Sequence, residues 1–271
     1  MSLSRRSFVG TAAGTLGLAA TTRSLWAAPA DGLSAAPTAA DRAFIAAIGP
    51  QTWADLQQRL ATANENLRTR GFRRVPGVEQ TLLTGYPYNE FYDWDLYFEN
   101  LYLSYYGVWK YCFTNLKEFL KREQPDGYIS RSLIKQRDRQ QFKPFLAQLV
   151  VLGGRQSNND YEWLRGDSYD RLAKYLVKWF SYDGDHNGLP VWNSADAAGT
   201  DNQWSRAGAL SSFEIEGVDL ASYLVRELRA MAVIAKHLGL DADVKMYNQH
   251  AERVIHLINQ NFWDEADGMY Y

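Results

Sequence analysis

The residues best suited to chemistry sit between the periodic segments, and the densest group runs from Tyr88 to Phe98. There Asn89, Glu90, Asp93 and Asp95 alternate with Phe91, Tyr92, Trp94 and Tyr97. An aromatic face covers the C–H side of a pyranose ring while a neighbouring carboxylate accepts hydrogen bonds from its hydroxyls, so Trp94 beside Asp95 can grip a sugar. The same pair also fits a structural use, with Trp94 in the core and Asp95 capping the helix that follows. A second group, Asp183, Asp185 and Asn187, offers oxygen atoms at alternate positions as a calcium loop does. Its twelfth position, however, is Ser194 instead of Glu, and an Asx-rich turn has the same composition. A third group pairs Asp201 with Asn202, between Trp192 and Trp204; such pairs are common in turns.

The elements that must position these groups are helices almost throughout. From Thr52, the residues Trp53, Leu56, Leu60, Ala63 and Leu67 recur at helical spacing until Gly71. A segment from Asp95 to Tyr106 is apolar and aromatic nearly all round, which predicts an inner helix. Asn115 to Arg122 is helical, Pro144 opens a helix running to Leu152, and Gly153 and Gly154 are expected to close it. Tyr161 to Phe180 carries Tyr169, Leu172, Leu176 and Trp179 on one side. Leu220, Leu224, Leu228, Met231, Ala235 and Leu238 form the next stripe, ended by Gly239. Val244, Tyr247, Ala251, Val254 and Ile258 form the last, with Asp241 as its expected N-cap. Enclosed and amphipathic helices in alternation predict an all-α fold, a ring of helical hairpins around a cleft. No repeat of fixed period supports a solenoid.

The first thirty residues read as an address. Ser4, Arg5, Arg6, Ser7, Phe8 and Val9 form a twin-arginine export signal, followed by a weakly apolar stretch to Ala20 that is too short to anchor in a bilayer. Ala28, Pro29 and Ala30 offer a small-x-small cleavage site. The expected partners therefore include the twin-arginine export machinery, with a periplasmic or secreted destination and no membrane anchor. Residues 31–271 then form one domain, and with 46% hydrophobic residues, nine Trp, seventeen Tyr and twelve Phe it has ample material for a core. A formal net charge of −2 gives no electrostatic reason for a nucleic-acid partner, whereas a neutral saccharide suits it. Cys112 is the single cysteine, and four scattered His make no zinc-spaced cluster.

Several segments resemble, in order, the trehalase and glycoside hydrolase family 63 clan, which includes mannosylglycerate hydrolases. Trp94, Asp95, Leu96, Tyr97 and Phe98 are similar to its Trp-Asp-Ser-Tyr-Phe signature. Gly127, Tyr128 and Ile129 resemble its Gly-Phe-Ile-Pro turn, and Phe142 to Gln148 its substrate-lining segment. Asp183 to Pro190 resembles its Asp-Gly-Asn-Gly-Leu-Pro loop, in which some relatives bind calcium. Val218, Asp219, Leu220, Tyr223, Leu224, Arg226 and Glu227 match its Val-Asp-Leu helix, and Trp263, Asp264, Asp267, Gly268 and Tyr270 a later turn. The likeness covers roughly residues 80 to 271.

The resemblance implies a toroid of six helical hairpins and an inverting mechanism, in which two carboxyl groups stand about 6.5–9.5 Å apart across the scissile bond. The acid of the clan lies in a Gly-x-Asp-Asn segment, matched here by Gly199, Thr200, Asp201 and Asn202. Asp201 is thus the expected acid, its pKa raised by a water-poor pocket to which Trp192 and Trp204 contribute. Trp94, Asp95, Lys143, Gln148, Trp192 and Asn202 are the expected substrate-binding residues; no cofactor is required, and a structural calcium would sit on Asp183, Asp185 and Asn187. Around the acid the chain departs from the pattern, with Ala197 and Ala198 before Gly199 and Gln203, Trp204, Ser205 and Arg206 after Asn202.

Glu214 and Glu216 are not the catalytic pair, because the resemblance puts the base much farther along. The periodic segments number about eight helices where a complete toroid has twelve. The expectation is therefore an incomplete (α/α)6 toroid, a fragment that lacks its base and does not turn over glycosides alone. The alternative from another class is a non-catalytic carbohydrate-binding helical toroid. A helical-toroid polysaccharide lyase would need a Tyr with His or Arg in a basic cleft, which these loops do not supply.

Overall fold

The computed structural model describes residues 39–85, 89–104, 107–135, 140–192, 198–199 and 215–271. The export signal, Asp201, Asn202 and Trp204 lie outside them. Eight α-helices occur among the described residues: α1 (Ala39–Ile48), α2 (Pro50–Asn66), α3 (Asp93–Ser104), α4 (Lys110–Leu120), α5 (Leu146–Gln156), α6 (Asp167–Phe180), α7 (Val218–His237) and α8 (Asp241–Asn261). Strands are limited to three two-residue antiparallel pairs: β1 (Phe72–Arg73) with β2 (Leu82–Leu83), β3 (Val191–Trp192) with β4 (Ile215–Glu216), and β5 (Trp263–Asp264) with β6 (Met269–Tyr270). The architecture is all-α, as the periodicity predicts. No helix of the described residues is long and apolar enough to cross a membrane.

Burial separates two kinds of helix. In α5 the run from Leu146 to Val151 is buried on every side, and α7 buries Leu220, Leu224, Leu228, Met231 and Ala235. By contrast α8 buries only Tyr247, Ala251 and Val254, and α6 keeps Tyr169, Leu172, Tyr175, Leu176 and Trp179 inside with Val177 out. Enclosed helices alternating with one-faced ones make a layered ring of hairpins, with α7 packed on both α5 and α8. In α2 the stripe Trp53, Leu56, Leu60 and Ala63 is present but only half-covered.

Besides α4, which opens at Lys110 instead of Asn115, and α5, which opens at Leu146 instead of Pro144, four features differ from the sequence reading for a physical reason. The Tyr161–Phe180 segment breaks at Gly166, whose φ of +83° no helix accommodates, so α6 begins at Asp167 after a short 3-10 turn. Asp241 is the first helical residue; Leu240 occupies the cap position and no side chain caps the end. The inner helix begins at Asp93 and is enclosed on one side only, leaving Phe98 half-exposed. Gly153 and Gly154 do not close α5 but lie within it, because they are needed for close approach. A Cβ on Gly153 would stand 2.7 Å from Phe113, and one on Gly154 2.4 Å from Tyr161.

Candidate active site

The site is built on the first turn of α3 and the segment that enters α5. Asp93 is wholly buried, and its backbone N–H donates to Arg131 O at 3.0 Å. Its Oδ2 accepts the Lys143 N–H at 2.9 Å and lies 3.3 Å from Lys143 Nζ, while Arg131 Nε stands 3.8 Å from Oδ1. Lys143 is equally buried, its ammonium 4.7 Å from the centre of the Trp94 ring. Burial pulls the Lys143 pKa down, against the opposing field of Asp93. Two partners of opposite charge on a helix and a loop fifty residues apart thus pin the two halves of the site together.

The loop from Phe142 to Phe145 is fixed from α6. Trp179 Nε1 donates to Phe142 O at 2.9 Å, and Tyr175 Oη lies 2.5 Å from Lys143 O and 3.0 Å from Phe142 O. Tyr97 of α3 stacks on Phe145, centroids 4.6 Å apart and planes 14° from parallel, and Arg226 of α7 donates to Tyr97 Oη at 3.0 Å. Glu227 reaches from α7 to the open N-terminus of α5, accepting from Ala147 N at 2.6 Å and Gln148 N at 3.2 Å. Complete burial pushes its carboxyl up to about 7 despite those bonds. Gln148 donates through Nε2 to Pro144 O at 2.6 Å and to Tyr223 O at 3.4 Å. Its donors are thus turned to the backbone, and Oε1 is a buried acceptor without a partner.

Asp95 is half-buried beside Trp94, and its pKa is raised by burial and by Asp93. One turn on, Glu99 is pushed up to about 8, by burial first and then by Asp95; its Oε2 is buried and unpartnered. Trp192 is 3% exposed, with its ring edge-on to Trp179 and its Nε1 donating to Asp219 Oδ1 at 3.3 Å, so it forms core behind the site. Gly199, with φ of +69°, lies against Trp94 so closely that a Cβ would stand 2.8 Å from Cζ2 of the ring. The structure therefore brings together Trp94, Asp95, Lys143 and the start of the Gly-x-Asp-Asn segment. Asp201 and Asn202 themselves lie outside the described residues.

The calcium expectation meets a loop whose Asn187 amide is already bonded to its carboxylates. Asn187 donates from Nδ2 to Asp185 Oδ2 at 3.0 Å and to Glu216 Oε1 at 2.5 Å, and its Oδ1 accepts the Leu189 N–H at 2.8 Å. An amide nitrogen thus stands between two carboxylates where a cation would be needed. Asp183 Oδ1 is a buried orphan, but among the described residues no three His, Cys, Asp or Glu groups converge as a metal site. The residues as arranged do not fit the ion.

The model of the mannosylglycerate hydrolase MGH1-like glycoside hydrolase domain matches residues 88–271, from the Tyr88–Phe98 cluster through the last turn. The chain belongs to this family of glycoside hydrolases. Among solved structures it is similar to an uncharacterized conserved protein from Thermus thermophilus. There the TM-score is 0.55 and the identity 18%, over 78% of this chain and 64% of that one. It is likewise similar to a GH63 mannosylglycerate hydrolase from Thermus thermophilus in complex with glucose, at a TM-score of 0.54 and 18% identity, over 78% of this chain and 65% of that one. The chain thus spans under two thirds of the length of either structure. A search of curated proteins found no match. For a member of this family, the helical hairpins seen here are part of an all-α toroid.

Sequence reasoning gave no role to Arg131 or Glu99, nor to Asp93 and Glu227, although the last two stand in segments it singled out. A signal existed for two of them. Glu99 lies four residues after Asp95 and so shares its helix face, and Glu227 is a lone carboxylate in the apolar stripe between Leu224 and Met231. For Asp93 and Arg131 no local pattern marks the pairing.

Proposed function

We propose that this chain is the acid-bearing part of an inverting glycosidase acting on an α-linked neutral saccharide, with Asp201 as general acid. The observation that carries the reading is the packing of Gly199 on Trp94: the Gly-x-Asp-Asn segment starts against the residue that neighbours Asp95. Membership of the family supports hydrolysis, and the glucose held by the similar Thermus thermophilus enzyme supports a neutral sugar at such a site. Asp95 then accepts from sugar hydroxyls beside the Trp94 ring, and Gln148 Oε1 accepts another. Lys143 acts from behind, holding Asp93 and the indole in place. Protonation of the leaving oxygen by Asp201 requires a pKa near the working pH, which a closed, water-poor cleft supplies. The base that activates water belongs, on this reading, to the part of the relatives' length that this chain does not cover. We further propose that residues 1–30 direct twin-arginine export.

Aryl α-glucosides and α-mannosides test the reading on the chain as it stands. The expected result is saccharide binding that Asp95→Asn weakens about tenfold or more, without turnover. Turnover abolished by Asp201→Asn would bring the base into this chain, and absence of both binding and turnover would end the carbohydrate assignment.

A further inference from the structure

We propose that Glu99 is a specificity-determining residue of the cleft, its carboxyl pairing with a ring hydroxyl of the saccharide next to the one that Asp95 takes. The inference rests on the glycosidase reading and deepens it. Asp95 and Glu99 are four residues apart on α3, so their side chains stand one above the other on one helix face. Trp94 and the half-exposed Phe98 flank that face, their rings edge-to-face at 6.4 Å.

Asp183 and Glu123, like Glu99, bury an unbonded oxygen, but the first accepts the Gly188 N–H and the second faces two cations, whereas among the described residues Glu99 has neither a hydrogen bond nor an ion pair. The other buried carboxylates of the described residues are engaged: Asp93 by Lys143 and Arg131, Glu118 by Lys121 and Arg122, and Glu227 by two backbone N–H groups. Glu90 accepts from the N–H groups of Phe91, Ile134 and Lys135, and Glu123 faces Lys174 and Arg171. The charge that Glu99 faces among the described residues is Asp95, a like one, and its Oε2 is buried without a hydrogen-bond partner. A buried carboxyl with nothing to bond costs stability and is retained where something else supplies the partner.

Burial, and then the charge of Asp95 one turn away, push the Glu99 carboxyl up to about 8, so that Glu99 keeps its proton at neutral pH. A neutral carboxyl that donates beside a carboxylate that accepts matches two adjacent hydroxyls of a pyranose ring. One hydroxyl donates to the Asp95 carboxylate, and its neighbour accepts the single proton of Glu99. No bond is made or broken in this step; the proton stays with Glu99.

Glucose is the probe, with affinity measured by titration on the full chain for wild type, Glu99→Gln, Glu99→Ala and Asp95→Asn, and thermal melting as the check of folding. The Gln amide donates as the neutral acid does, so Glu99→Gln should bind within a few-fold of wild type, while Glu99→Ala loses about tenfold or more. Wild-type affinity should also fall above about pH 8 as Glu99 gives up its proton, and Glu99→Gln should lack that fall, a difference that a purely structural role would not produce. If Asp95→Asn weakens glucose while Glu99→Ala binds like wild type, the role of Glu99 is overturned and the site stands. If wild type binds no glucose, the site reading falls and takes the inference with it.

Discussion

Asp93, Asp95 and Glu99 on α3 and Asp183, Asp185 and Glu216 around the β3–β4 pair are both groups of three carboxylates, and the chain treats them in opposite ways. On α3 the groups are buried or half-buried, cations from remote segments come to Asp93, and burial raises the pKa of the remaining two, Glu99 to about 8. In the loop Asp185 is exposed, and Asp183 and Asp185 are served from within five residues by the Asn187 amide and the backbone N–H groups of Asn187 and Gly188; the same amide reaches Glu216 across the β3–β4 pair, and Asp183 Oδ1 alone is left unbonded. Negative charge solved by local amides makes a turn; negative charge solved by distant cations, and left partly unsolved, makes a site.

The comparison breaks most readily at Asp93. Asp93→Ala strands the Lys143 ammonium in the interior and should cost about 3–5 kcal/mol in chemical denaturation, much of it recovered when Lys143→Met is added. A loss no larger than that of a loop carboxylate would mean that the α3 and loop acids are held alike. A smaller effect should come from Glu99→Gln. The unfolded carboxyl titrates near 4.5 while the folded one keeps its proton to about 8, so the unfolded state sheds protons first and stability declines as pH rises through that window. Melting temperatures of wild type at pH 5 and pH 9 should therefore differ by several degrees more than those of the variant, at about 2–4 °C per kcal/mol. Least is expected of Asp185→Asn, about 0.5 kcal/mol or less, because its carboxylate is exposed and its partners are local. Millimolar calcium should leave the melting temperature of wild type unmoved, and a clear rise would return the loop to the metal-binding class.

Much of the fold was legible because helix formation is a local matter. The stripes from Leu220 to Leu238 and from Val244 to Ile258 become α7 and α8 nearly as read. Gly153 and Gly154 were misread for the converse reason. In sequence a glycine pair ends a helix, whereas here Phe113 and Tyr161 lie where side chains would be, and neither neighbour is visible along the chain. The site was legible in part. Aromatic and acidic composition pointed to Trp94 and Asp95, but Lys143 and Trp192, expected to meet substrate, are enclosed, with Lys143 on Asp93 and Trp192 on Asp219 and Trp179.

The residue order by itself determined that the chain folds as paired helices, which of them are one-faced, and that acids and aromatics gather before α3 and after α6. Those outcomes depend on spacings of three, four and seven residues and on short-range turn chemistry. Tertiary structure alone decided which carboxylate is neutralised and which is left wanting. The field at each acid is set by Arg131, Lys143 or the α5 N-terminus, groups separated from it by tens of residues, and by water excluded only once the helices have closed over it.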